Sequence, residues 1–140
     1  METRGAARQM TGLDTNVLVR FFVADDERQT ERVAQFLKAS RTAGESVFIS
    51  VLVLCETCWV LRSAYDKSKN AILDAIETLL NSDVFQLEDS DAVRRALQLA
   101  RTGKADFPDY LIGELHLSRG CRYTVTFDRS LRGDAAFSLL

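Results

Sequence analysis

The stretch MTGLDTNVLVRFF, residues 10–22, poses the problem that the rest of the chain has to solve. A short lead-in, Thr11-Gly12-Leu13, runs straight into Asp14. Asn16 follows, then Val17, Leu18, Val19, Phe21 and Phe22. A carboxylate at the mouth of an apolar run must be capped, paired, bound to a cation or protonated. "MTGL" reads as a strand and "TNVLVRFFVA" as a short helix, so Asp14 stands at a strand-to-helix corner.

The same alternation continues outward. "DERQTERVAQFLKASRTAG" places Val33, Phe36 and Leu37 on one helical face, and "SVFIS" is a second strand. "VLVLCETCWVLRSAY" is an almost wholly apolar helix, which predicts deep packing. "SKNAILDAIETLL" repeats apolar residues at helical spacing behind Ser68, a good N-cap. "VFQL" is a third strand, and "DSDAVRRALQLARTG" is a helix closed by Gly103. "DFPDYLIGELHLSRG" is a helix with Pro108 in its first turn and Gly120 after its end. "CRYTVTF" is a fourth strand and "AAFSLL" a short fifth. Strands separated by helices predict a parallel sheet covered on both faces, with sites outside the carboxyl ends of its strands.

The totals narrow the class. One domain with one core fits 140 residues at 46% hydrophobic. A charged fraction of 27% with a net charge of −2 is neither a disordered composition nor the basic balance of a protein that holds nucleic acid by charge alone. Nucleic acid would have to be held locally or through recruited cations. Three cysteines disfavour a disulfide framework and suit a reducing, cytoplasmic setting. The longest apolar run, residues 47–54, is too short to span a bilayer, so no membrane association is expected. Residues 1–9, "METRGAARQ", lack an apolar signal core and differ in composition from the segments after them. They are expected to be a disordered tail ahead of a domain at residues 10–140, and Met10 could itself be the start.

Certain acids fall where a packed domain would not need them. Asp14 follows strand one, Glu56 sits inside the apolar helix, Asp106 and Asp109 open a late helix, and Asp128 follows strand four. Each has a plain structural reading. Asp14 could be an N-cap, Asp106 and Asp109 cap and dipole residues, and Asp128 a turn residue ahead of "RSLRGD". Glu56 resists this most. Leu52 and Val60 flank it at helical spacing, and the nearest cation in sequence is Arg62. Carboxylates brought together repel, and a divalent ion with hard oxygen ligands resolves that repulsion. Asn16 could orient the Asp14 carboxylate, and Thr126 could support Asp128 or touch a substrate.

"LDTNVLVRFF", the isolated Glu in "CETCWVL", "DFPDYLIGELHLSRGC" and "TVTFD" together resemble the PIN-domain family, and especially VapC-type toxins of toxin–antitoxin pairs. The resemblance covers roughly residues 10–140. It implies a three-layer α/β/α sandwich around a central parallel sheet of four to five strands. It further implies a Mg²⁺- or Mn²⁺-dependent endoribonuclease. Matched motif by motif, its catalytic metal ligands would be Asp14, Glu56, Asp109 and Asp128, with Asp106 a less certain member. Asn16 and Thr126 match supporting polar positions. The resemblance also implies an RNA substrate, an antitoxin partner and a homodimer. The helical faces carrying Phe21, Phe22, Phe36 and Leu37 could supply an interface or plain core. Tyr110 departs from the family, in which smaller residues are common at that position. In such a site a bound ion activates water and offsets charge on the phosphodiester, so histidine is not required. Arg20, Arg129 and Arg132 could serve as phosphate contacts.

Other chemistries fit less well. "CETC" has no second cysteine pair and falls inside a helix pattern, which favours two structural thiols over a zinc or redox motif. A single histidine, His116, argues against a histidine-rich zinc site or a Ser-His-Asp triad. The main rival is a non-enzymatic Mg²⁺-binding α/β module, either a receiver-like signalling domain or a PIN-like binding scaffold. A receiver would want paired acids after strand one. A haloacid-dehalogenase-like phosphatase would want Asp where Asn16 stands.

Overall fold

The computed structural model of the protein describes residues 9–140. Residues 1–8 of the expected tail lie outside the described residues. The Gln9 carbonyl accepts from Ser46 N at 3.1 Å.

Five strands and six α-helices make up the described chain, with two helices after each of the first three strands. They are β1 (Met10–Gly12), α1 (Thr15–Phe22), α2 (Glu27–Ala43), β2 (Ser46–Ile49), α3 (Val51–Ser63), α4 (Lys69–Asn81), β3 (Phe85–Leu87), α5 (Ser90–Thr102), α6 (Phe107–Ser118), β4 (Thr124–Thr126) and β5 (Phe137–Leu139). Local chemistry sets most boundaries. Asp26, Ser50 and Ser68 each accept from a backbone N–H in the first turn of the adjoining helix, satisfying an orphan donor. Gly44 ends α2 at φ 70°, a left-handed conformation that glycine adopts without strain.

The α/β class and the parallel pairing expected from the sequence are both observed. β1 pairs with β2, and β2 with β3, with Thr11 opposite Val47 and Val47 opposite Phe85. The count of strands in that sheet differs from the expectation. The sheet has three strands, and β4 pairs in parallel with β5 as a separate two-stranded ladder. The exposure of β1 and of the β4 region gives a physical reason. All three residues of β1 are exposed, as are Val125 in β4 and Phe127 just beyond it. Little apolar burial is therefore available to join β4 to the three-stranded sheet through β1.

The core is built from Leu18, Val47, Ile49, Leu54, Leu73, Ile76, Leu79, Val93, Phe107 and Leu111, all essentially without solvent exposure. The apolar helix α3 is not packed on all sides as its composition suggested. Leu54, Thr57, Cys58 and Leu61 are buried, but Leu52 and Trp59 are each 69% exposed. A helix laid on one side of a domain buries a stripe, whatever the composition of the rest. Leu37 is core, whereas Phe22 and Phe36 are half-buried. Phe21 lies at the surface, edge-on to Phe22 and Phe85 with ring centroids 5.0 and 5.2 Å away. No helix among the described residues is long and apolar enough to cross a membrane.

Candidate active site

Asp14 is the N-cap of α1 at the carboxyl end of β1, and Thr15 N donates to its Oδ1 at 2.8 Å. The Thr15 hydroxyl points the other way and donates to Glu56 Oε1 at 2.7 Å. Thr15 thus bridges the two acids, and it is itself buried. Glu56 lies on the exposed side of α3, so its apolar sequence neighbours do not bury it. Its partner is a hydroxyl rather than a cation. No hydrogen bond joins Asn16 to Asp14 among the described residues. Asn16 lines a shallow groove between α1 and α2 with Arg20 and Arg32.

The second pair of acids sits at the start of α6 and after β4. Asp109 occupies the first turn of α6, and its Oδ2 accepts from Asp106 N at 3.3 Å. Burial pushes the Asp109 carboxyl above the usual carboxylate range. The Asp106 N–H opposes that shift, and the charges of Asp128 and Asp106 add to it. Asp128 is exposed, with its Oδ1 accepting from both the N–H and the hydroxyl of Ser130, at 2.9 and 2.7 Å. Those two donors hold its carboxyl below the usual range. Thr126 Oγ1 accepts from Asp128 N at 3.0 Å and fixes the turn from the other side. Asp106 is the N-cap of α6, and its charge is met by Arg62 at 2.9 Å.

The four acids therefore fall into two groups: Asp14 and Glu56 share Thr15, and Asp109 feels the charge of Asp128. The division follows that of the strands, because Asp14 and Glu56 follow β1 and β2 while Asp128 follows β4. Among the described residues no three acids or other metal-binding side chains converge on one point. Each pair has the chemistry of a hard-cation site, since Mg²⁺ commonly takes one or two carboxylates and fills its other positions with water or phosphate. The oxygens of the four acids are donors of the kind a hard divalent ion takes, and they do not form a four-carboxylate cage among the described residues.

The PIN domain family matches residues 13–133, most of the chain. This chain belongs to the PIN-domain family. A VapC ribonuclease of Aquifex aeolicus (strain VF5) is 28% identical to this PIN domain over 120 residues, which are 86% of this chain and 88% of the relative. Among solved structures, the sarcin-ricin-loop-cleaving toxin VapC20 of Mycobacterium tuberculosis aligns over 90% of this chain and 92% of its own, at 20% identity and a TM-score of 0.39.

Two residues at this PIN site escaped sequence reasoning. Thr15 stands between two residues that drew attention, and Ser130 lies in a stretch read only as a turn. Each supplies two donors, where sequence reasoning had looked to Asn16 beside Asp14 and to Thr126 beside Asp128. Of the three arginines considered as phosphate contacts, Arg20 is taken up by an ion pair with Asp25 and a 3.4 Å contact to Tyr65 Oη. Arg129 and Arg132 line one groove beside the Asp128 turn. His116 is exposed, with Nδ1 2.7 Å from Thr124 Oγ1. Cys55, Cys58 and Cys121 are all free thiols.

Proposed function

We propose that this PIN domain is a divalent-metal-dependent endoribonuclease that hydrolyses RNA phosphodiester bonds, and that it is the toxin of a toxin–antitoxin pair. The observation that carries the reading is the placement of Asp14 and Glu56 about Thr15, and of Asp109 within the field of Asp128, in a PIN domain. A relative that is a VapC ribonuclease supports the substrate class. Asp14, Glu56, Asp109 and Asp128 would hold Mg²⁺ or Mn²⁺. A bound ion supplies Lewis-acid polarisation of the phosphodiester and a lowered pKa for the attacking water. The chain's own residues set the stage for that chemistry. Thr15 keeps Asp14 and Glu56 in fixed relation. Ser130 keeps Asp128 ionised, and Thr126 fixes its backbone. Asp109, half-buried, carries its negative charge at a cost that a neighbouring cation removes. Asp106 is neutralised by Arg62 and serves chiefly to cap α6.

An antitoxin partner, a homodimeric assembly, a cytoplasmic location and a domain spanning residues 10–140 extend the same reading. Three free thiols suit a reducing compartment. The test is incubation of the full chain with a mixed RNA pool in Mg²⁺, in Mn²⁺ and in EDTA. Cleavage should require the ion and vanish in Asp14→Asn and Asp109→Asn proteins that keep wild-type circular dichroism. Cleavage that survives EDTA or either substitution would overturn the reading. Metal-dependent RNA binding without cleavage would favour a PIN-like binding scaffold instead.

A further inference from the structure

A groove of about 500 Å³ opens beside the Asp128 turn. Its wall carries Lys104, from the loop between α5 and α6, with Arg129 and Arg132 from the turn just after Asp128. All three are exposed, and none has an ion-pair partner among the described residues. The acid in the wall is Asp134, whose Oδ1 is engaged by Ala136 N at 2.8 Å. The groove is thus locally cationic on a chain whose overall charge is −2. A polyanion is drawn to such a local field rather than to the whole surface.

Immediate sequence neighbours of the acids Asp109 and Asp128 line the groove. Ser130, in its wall, holds the Asp128 carboxylate, and Tyr110, in its floor, directly follows Asp109. The tyrosine ring is buried and its hydroxyl accepts from Ala105 N, so it offers no stacking platform for a base. The Ser130 hydroxyl is likewise committed to Asp128. Besides the exposed Thr102, the polar side chains left free in the wall carry positive charge, which contacts phosphates and does not discriminate bases.

We propose that this groove grips the phosphate backbone of the RNA strand flanking the scissile bond, through Lys104, Arg129 and Arg132, without reading its sequence. The inference rests on the ribonuclease reading. It places sequence selection elsewhere on the protein.

The experiment measures anisotropy of fluorescein-labelled single-stranded RNAs of several sequences, in EDTA, across a KCl series. The full chain is compared with Lys104→Gln/Arg129→Gln/Arg132→Gln. Neutralising three phosphate contacts should weaken binding at least about tenfold. It should also make the plot of log affinity against log salt shallower by about 2, equally for every sequence. With Mg²⁺, KM should rise while kcat stays within about twofold. If the triple variant fails to fold, each single substitution should lower the slope by about 0.7. Unchanged affinity and slope, or a loss confined to one RNA sequence, would overturn the proposal. So would loss of binding to a polyglutamate peptide with RNA binding intact, which would assign the groove to an acidic protein partner. Absence of cleavage by the wild-type chain in both metals would sink the ribonuclease reading alone, because the binding measurement does not depend on turnover.

Discussion

The Thr15 hydroxyl donates to Glu56 Oε1 at 2.7 Å, across 41 positions of sequence. Its own backbone N–H donates to Asp14 Oδ1 at 2.8 Å. One small buried residue therefore fixes two carboxylates from different elements. Thr15→Val keeps the branched shape and removes only the hydroxyl. Its cleavage rate should fall about 10- to 100-fold, the usual effect of losing a residue that orients a metal ligand. Mg²⁺ affinity by calorimetry should weaken in parallel, the thermal midpoint should hold, and Thr15→Ser should restore most activity. A Val variant as active as wild type would show that Thr15 merely packs.

Asp109 ties stability to pH in the metal-free protein. Burial raises its pKa above the ordinary value of 3.8, chiefly by disfavouring the charged form. The folded state then holds its proton more tightly than the unfolded state. Stability therefore drops as pH rises from about that unfolded value through the raised folded one, and stays lower above it. Asp109→Asn cannot ionise, yet its side-chain oxygen can still accept from Asp106 N. In EDTA it should melt above wild type at pH 7, with the difference vanishing below about pH 4, while cleavage is lost. A variant that melts lower at both ends of the range would mark Asp109 as primarily a helix cap.

Much of the fold was legible because it is written in local signals. Ser68 as an N-cap, Gly103 after α5 and Pro108 in the first turn of α6 all stand where sequence reasoning put them. The features that were not legible depend on tertiary contact. In α3 the exposed side carries Leu52 and Trp59 as well as Glu56, and so many apolar residues mask the polar stripe that periodicity would otherwise reveal. Three-residue strands carry too few residues to specify their neighbours, which hid the separation of β4 and β5 from the main sheet. At the candidate site, acids in an apolar context were conspicuous. Thr15 and Ser130 were not, because a hydroxyl in a turn or first helical position is ordinary until its long-range or bifurcated partner is known.

The two cysteines of "CETC" should behave as packed thiols. Burial, then the neighbouring Cys55 and the charge of Asp106, push the Cys58 thiol up to about 12. Burial also raises Cys55. Thiolate is the reactive form, so neither side chain should react readily at about pH 8. Mass mapping after brief iodoacetamide treatment of the native chain should find Cys121, which is exposed, modified first and Cys58 unmodified until denaturant is added. Rapid labelling of Cys58 in native buffer would contradict the packing described for α3.

The loop that delivers α6 is latched from two sides, and the latch should matter for both stability and rate. Lys69, half-buried at the start of α4, donates from Nζ to Gly103 O at 2.8 Å and to Ala105 O at 2.7 Å. On the other side Tyr110 Oη accepts from Ala105 N at 3.3 Å. Gly103 lets this happen, since a Cβ there would stand 1.8 Å from Tyr110 Oη. Lys69→Met keeps the aliphatic stem but leaves two carbonyls without their charged donor, which should cost about 1.5–3 kcal/mol in urea unfolding. Gly103→Ala, which forces the tyrosine aside, should cost about 1–3 kcal/mol. The two changes act on one short loop, so the double variant should lose less than the sum of the single losses. Asp106 and Asp109 follow that loop directly. A slackened latch should therefore lower kcat through the position of Asp109. Strict additivity with kcat unchanged would show that Lys69 does not act through this loop.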